Sequence, residues 1–235
     1  MILNPTTSEH FIYKRWFENV RNDNTEYIHT TYLDNKDNLD TSILEEIEQM
    51  KINKPKKYNH VILGGWLDKA EGVIIENWIE GKFDYSLPIY FGMDFGFSVD
   101  PDSLTEVAID KKKQRIYLKE HIYKNGLKSN ELAQIILDKV GQKLIIADSA
   151  EPRLIAELKS RGCNIRATEK GQGSINAGVE LMKDFEIIVE PNSINIAKEF
   201  NNYVYSDKKS NLYVDNFNHI IDAIRYNVFF NIGRN

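Results

Sequence analysis

From Leu87 onward the apolar positions fall into regular strand and helix periods, whereas the pattern before it is sparser. IYFGMDFG (89–96) reads as a buried strand, SLTEVAID (103–110) as a second and RIYLKEHIY (115–123) as a third. The polar DKKKQ (110–114) between the last two is what a hairpin connection requires. A helix follows near 129–140, capped by Ser129, with Leu132, Ile135, Ile136 and Val140 along one face. KLIIAD (143–148) reads as a fourth strand. EPRLIAELKSRG (151–162) then places Pro152 in a first turn and Gly162 just past a last one, the start and stop of a helix. Short strands at NIRATE (164–169) and EIIVE (186–190) flank a helix at 174–184. Further helices are expected over 194–205 and near 217–230, separated by a polar hairpin at 206–214. Phe217, Ile220, Ile221, Ile224 and Val228 form the apolar side of the last helix.

Residues 1–85 read differently. EYIHTTYL (26–33) suggests a strand, and Asp40 is placed to cap a helix whose Ile43, Leu44, Ile47 and Met50 share one face. NKPKKYN (53–59) reads as a turn or linker and GGWLDKAEG (64–72) as a glycine-punctuated loop. This segment is too thin in apolar pattern to be an enzyme alone. The rest gives three strands joined by short turns, then alternating helices and strands. Tight turns join antiparallel strands, whereas parallel additions need helical crossovers. The expected fold is therefore α/β, a mixed sheet of five or more strands, three antiparallel followed by parallel ones. Helices cover both faces, which is the ribonuclease H-like plan. A small N-terminal subdomain spans 1–85 and the main domain 86–235.

Length and charge narrow the function. At 235 residues the chain holds one sizeable core and a smaller appendage. No apolar run approaches the length needed to span a bilayer, and the first residues lack the pattern of a signal peptide. Cys163 is the only cysteine, which excludes an internal disulfide framework and thiolate-rich zinc sites and points to a reducing cytoplasm. The net charge of −5 argues against a passive nucleic-acid coat but not against a nuclease, which gathers carboxylates around metals that invert the local field.

Three acids stand where this plan brings strands together. Asp94 ends the first core strand and Asp148 the fourth, and in the ribonuclease H-like plan these strands are parallel neighbours at the sheet centre. Neighbouring strands lie roughly 4.8 Å apart, so both carboxylates can face one site. Two divalent ions about 3.5–4 Å apart fit such a spacing and can clamp the attacking and leaving oxygens of a phosphodiester. His219 and Asp222 stand at i and i+3 on the last helix and can share a face. Asp222 would complete the cage; His219 can bind a metal, hold a water or stabilise the leaving oxygen. Hard oxygen ligands favour magnesium or manganese. Taken singly, an aspartate ending a strand is more often a turn former, and Asp148 can simply cap the helix that follows. Joint placement changes this, because burying unpaired carboxylates together is costly without a cation. Asp100 and Asp102, flanking Pro101, read as loop residues.

These residues resemble the C-terminal nuclease domain of the large terminase subunit of tailed bacteriophages. GMDFGFSVDP (92–101) is similar to that family's first acidic motif, IIADSAEPRLIAELKSRG (145–162) to its second and NHIIDAIRY (218–226) to its third. ATEKGQGSINAGVELMK (167–183) is similar to the stretch between the second and third motifs, and the first eighty residues to the end of the ATPase domain and its linker. The resemblance implies metal binding by Asp94, Asp148 and Asp222 with His219 beside them. It also implies cleavage of concatemeric double-stranded viral DNA with little sequence preference. Portal protein and small terminase subunit are the implied partners, and the cytoplasm of a bacterial host carrying the phage or prophage is the implied location. No G-x-x-x-x-G-K-[ST] phosphate loop occurs, so the ATPase domain is missing and translocation is not expected. The chain is then expected to be a fragment or the product of a split or decayed prophage gene. Lys170, Arg153, Lys208 and Lys209 are candidates for phosphate contact, with a solvated surface charge an equal alternative for each. Lys111 to Lys113 read as surface charge, and Trp16, Trp66 and Trp78 as packing. Two other functions stay open: a related junction resolvase or RNA–DNA hybrid nuclease, and a catalytically silent docking module of the packaging motor.

Overall fold

A computed structural model describes residues 2–18, 26–70, 72–96, 99–169, 173–205, 213 and 216–232. The chain divides into two units, Met1–Glu71 and Gly72–Asn235.

In the first unit, a single helical turn α1 (Phe11–Tyr13) runs into a wide turn at Lys14–Glu18. The strand expected at 26–33 does not form. Instead Tyr32–Asn38 is a 3-10 helix, fixed by a reciprocal cap: the Leu33 N–H donates to Thr31 Oγ1 at 3.2 Å and the Thr31 N–H to Asp34 Oδ2 at 2.6 Å. Local hydrogen bonds at Thr31 and Asp34 outweigh the β-branched pattern around them. Helix α2 (Thr41–Asn53) begins where expected, with the Ser42 N–H donating to Asp40 Oδ1 at 2.8 Å. The expected linker after it is helical, α3 (Pro55–Lys57) leading into a wide turn at Tyr58–Ile62. Pro55 opens that helix, where a missing N–H costs nothing. Trp66 packs edge-on against Tyr13 and Phe17, ring centroids 5.1 and 5.2 Å away.

The second unit is built on a seven-stranded sheet. Its strands are β1 (Trp78–Glu80), β2 (Ile89–Asp94), β3 (Asp102–Asp110), β4 (Arg115–Lys124), β5 (Ile145–Ala147), β6 (Ile165–Ala167) and β7 (Glu186–Val189). They lie in the order β1-β7-β4-β3-β2-β5-β6. The β2–β3 and β3–β4 pairs are antiparallel; every other pair is parallel. The β3–β4 turn closes because Asp110 Oδ1 accepts the Lys112 and Lys113 N–H groups at 3.0 Å. β1 pairs with β7, so the sheet takes in Trp78, which the sequence pattern assigned to the preceding segment. Three residues with no clear alternation carry no strand signal of their own; the open edge of β7 recruits them.

Helices cover both faces. On one side lie α4 (Ser129–Val140) and α5 (Pro152–Ser160), whose Leu132, Ile136, Ile155 and Leu158 pack against Phe91, Met93 and Ile145. On the other lie α6 (Ser174–Lys183), α7 (Ile194–Asn202) and α8 (His219–Ile232), packed against Val107, Ile116, Leu118 and Ile187. Ser129 does not cap α4. Lys128 holds that position, its N–H donating to Glu131 Oε2 at 3.0 Å, while Ser129 Oγ donates to Glu157 across to α5. Phe217 precedes α8 rather than joining its apolar side, with φ at +57°. The hairpin expected at 206–214 lies outside the described residues apart from Tyr213, which bridges Tyr205.

Candidate metal-binding active site

Alternation along β2 splits its side chains between the two faces. Phe91 and Met93 enter the core beneath α4 and α5, which leaves Gly92 and Asp94 on the side of α8. β5 runs parallel beside it with Met93 opposite Ala147, and the Asp148 N–H donates to the Met93 carbonyl at 3.0 Å. Asp148 therefore leaves the sheet next to Asp94 and on the same side. The two carboxylates occupy the carboxyl ends of adjacent central strands, as the sequence pattern led us to expect.

Gly92 lets the last helix reach them. A Cβ at this position would lie 1.9 Å from the Ala223 carbonyl oxygen, so α8 crosses β2 with its backbone almost touching. That crossing sets the first turn of α8, with His219 and Asp222, over the strand ends. His219 Nδ1 lies 3.5 Å from Asp94 Oδ2, and its Nε2 lies 3.5 Å from Asp100 Oδ1. Asp100 was expected to serve the loop only; it faces the site through His219. Asp102 does serve the loop, its Oδ1 accepting the Gly96 N–H at 3.1 Å.

The electrostatics report crowded negative charge. Burial pushes the Asp94 carboxyl up to about 6; the hydrogen bond from His219 opposes this, and the charges of Asp222 and Asp148 reinforce it. Asp94 is only 7% exposed, so water relieves little of that repulsion. The hydrogen bond to Asp94 raises the His219 pKa against burial, aided by the charges of Glu199, Asp94 and Asp100. Asp148 Oδ1 accepts the Ala150 N–H at 3.2 Å, a local turn, while Glu151 holds the cap position of α5.

Asp222 is held aside. Its Oδ1 accepts Nε and Nη2 of Arg225 at 3.1 and 2.9 Å, and that arginine is 4% exposed. Among the described residues, no three His, Cys, Asp or Glu side chains already stand as a metal-ligand set. The donors nevertheless fit a hard divalent cation: buried or half-buried carboxylates, mutually repelling at Asp94, with no sulfur among them. The structure thus brings Asp94, Asp148 and His219 to one end of the sheet, with Asp222 within electrostatic reach but turned to Arg225.

Arg153 is exposed in the first turn of α5. Lys170, Lys208 and Lys209 lie outside the described residues. Lys111 to Lys113 occupy the β3–β4 turn, at the end of the sheet away from Asp94.

Ser103, Arg225 and Glu199 are site residues that the sequence reading does not single out. Glu199 of α7 is fully buried; its Oε2 accepts the Ile220 and Ile221 N–H groups at 2.9 and 3.1 Å, and Oε1 accepts the Tyr123 hydroxyl at 2.8 Å. For Glu199 the signal was present. Ile196, Glu199 and Phe200 fall at i, i+3 and i+4, which puts a carboxylate on an apolar face.

Residues 94–229 match the family described as "Terminase RNAseH like domain", and residues 1–65 match "Phage terminase large subunit". The terminase large subunit of Bacillus phage SPP1 is 33% identical over 222 residues, covering 86% of this chain and 51% of that protein. The PBSX phage terminase large subunit of Bacillus subtilis (strain 168) is 30% identical over 148 residues, covering 60% of this chain and 34% of that protein. The chain thus spans about half the length of the first relative and a third of the second. Among solved structures, the nuclease domain of the SPP1 large terminase with bound Mn aligns with a TM-score of 0.60 and 32% identity. That alignment covers 68% of this chain and 98% of the SPP1 domain.

Proposed function

Because the chain belongs to the phage terminase large-subunit family and carries its ribonuclease H-like domain, we propose that it is a divalent-metal-dependent endonuclease cutting double-stranded DNA during viral genome packaging. The observation that carries this reading is the meeting of Asp94 and Asp148 at the ends of adjacent parallel strands, beneath the helix bearing His219 and Asp222. The SPP1 nuclease domain, crystallised with manganese, supports it from outside. Asp94, Asp148 and Asp222 would hold two cations, magnesium or manganese. Bound there, such ions supply an activated water and neutralise the charge that builds on the phosphate.

The chain's own residues do the rest. Ser103 Oγ donates to the His219 carbonyl at 2.9 Å and fixes the start of α8 against β3. His219, whose pKa the hydrogen bond to Asp94 raises, can orient the attacking water or give a proton to the leaving oxygen. Arg153, with Lys170, Lys208 and Lys209, would contact phosphates and so bind without reading sequence. Concatemeric DNA in the host cytoplasm is the substrate we infer, with portal protein and small terminase subunit as partners.

Replacing Asp148 with alanine should abolish manganese-dependent nicking of plasmid DNA while the circular dichroism spectrum stays that of the parent. Undiminished nicking by a folded Asp148→Ala protein would overturn the assignment. Linear duplex, four-way junction and RNA–DNA hybrid substrates, compared at equal concentration, test the packaging role; a strong preference for either of the last two would point to a different nuclease.

A further inference from the structure

We propose that Glu199 is a positioning residue of this active site, the tertiary cap that holds the start of α8 so that the turn bearing His219 and Asp222 sits over the two strand-end carboxylates. The proposal rests on the nuclease reading and deepens it.

The N-terminus of a helix presents N–H groups with no partner inside the helix, and a side chain just before the helix ordinarily supplies one. For α8 the acceptor comes from a different helix. Glu199 Oε2 takes both the Ile220 and the Ile221 N–H, the two residues between His219 and Asp222. Its other oxygen takes the Tyr123 hydroxyl, which ties the pair to β4. The carboxylate is wholly buried, so each of these bonds is made away from competing water.

The consequence is geometric. Helix α8 can slide along or rotate about its axis unless something pins its first turn. Gly92 sets how closely the helix approaches β2, through the Ala223 carbonyl, but fixes no N-terminal direction. Glu199 does, joined by the Ser103 hydroxyl on the His219 carbonyl, at the turn that carries both functional side chains. A capping carboxylate also places negative charge at the positive end of the helix dipole. A polar neutral cap of equal length would hold the same two N–H groups, so hydrogen bonding rather than charge is the proposed role.

Three variants test this: Glu199→Gln, Glu199→Asp and Tyr123→Phe. Each is compared with the parent for Mn2+ affinity by calorimetry, for exchange of the Ile220 and Ile221 amide hydrogens, and for melting by circular dichroism. Glu199→Gln should bind Mn2+ within about twofold of the parent, since its amide oxygen accepts both N–H groups. Glu199→Asp, one methylene short, should lose about tenfold or more in Mn2+ affinity, as removal of a group orienting metal ligands does. Its two amides should exchange faster. Tyr123→Phe should give an intermediate loss. A folded Glu199→Asp protein with parental Mn2+ affinity overturns the proposal, and so does Glu199→Gln binding as weakly as Glu199→Asp. If Glu199→Asp does not fold, unchanged Mn2+ affinity in Tyr123→Phe decides against it. Failure of the underlying nuclease reading looks different: the parent protein itself then neither binds Mn2+ nor nicks DNA.

Discussion

Replacing Asp94 with asparagine is expected to stabilise the metal-free protein while removing its stabilisation by metal. Asp94 is 7% exposed, and burial, joined by the charges of Asp222 and Asp148, lifts its pKa from 3.8 to about 6 despite the opposing hydrogen bond of His219. A carboxyl whose pKa rises on folding binds its proton more tightly in the native state. Its contribution to stability is therefore fully present below pH 3.8 and lost as the pH climbs through about 6. At pH 8 the ionised side chain costs the native state roughly 3 kcal/mol, at about 1.4 kcal/mol for each pH unit. Asparagine keeps the shape and drops the charge. In EDTA at pH 8 the variant should gain roughly 1–3 kcal/mol, the lower figure allowing for a weakened contact with His219. That corresponds to about 2–4 °C in Tm for each kcal/mol. At pH 5 roughly half of the gain should vanish, because pH 5 lies near the middle of the window between 3.8 and about 6 over which the parent loses stability. Manganese reverses the ranking: at a hundred times its Kd it stabilises the parent by about 2.7 kcal/mol, and Asp94→Asn should lose most of this. Urea titrations and thermal melts at both pH values, with EDTA or MnCl2, measure all four quantities. A variant less stable than the parent at pH 8 in EDTA would refute the reasoning, as would an equal gain at pH 5 and pH 8.

Other expectations follow from separate features. Gly92→Ala drives a methyl group into the Ala223 carbonyl, so α8 must lift from β2; urea denaturation should show a loss of about 3 kcal/mol or more, and a loss under 1 kcal/mol would mean the crossing is looser than described. Arg153→Ala should weaken binding of unrelated duplexes alike and lower the salt dependence of log K by about one phosphate contact, measured by fluorescence anisotropy at several salt concentrations. Burial pushes the Glu106 carboxyl up, but the hydrogen bond and charge of His121, at 2.6 Å, with Lys119 and Lys143, outweigh it and hold the group below its usual range. That stability is present above the unfolded pKa of 4.5 and is lost as pH falls through the lower native value, so Glu106→Gln should flatten the acid limb of the stability profile.

The amino-acid order alone determined much of this protein. Apolar runs and 3.6-residue periods after Leu87 marked β2 to β7 and α4 to α8 to within a few residues, because central strands buried on both faces read as apolar runs while helices bury one stripe. The ends of IYFGMD and LIIAD put Asp94 and Asp148 at strand termini, and strand alternation then set them on one side of the sheet. Where the pattern misled, local backbone chemistry competed with it: the reciprocal cap of Thr31 and Asp34 made a helical turn of an apparent strand, and the positive φ of Phe217 keeps that residue outside α8. Only the tertiary structure decided which groups meet. The addition of β1 to β7, the contact of Gly92 with Ala223, the approach of Asp100 to His219, the Arg225 grip on Asp222 and the cap from Glu199 all involve the choice of a partner. Periodicity tells which face of an element is buried but not what it is buried against. That choice is made when the helices pack, and it is why a carboxylate such as Glu199 could be seen in the sequence without its role being seen.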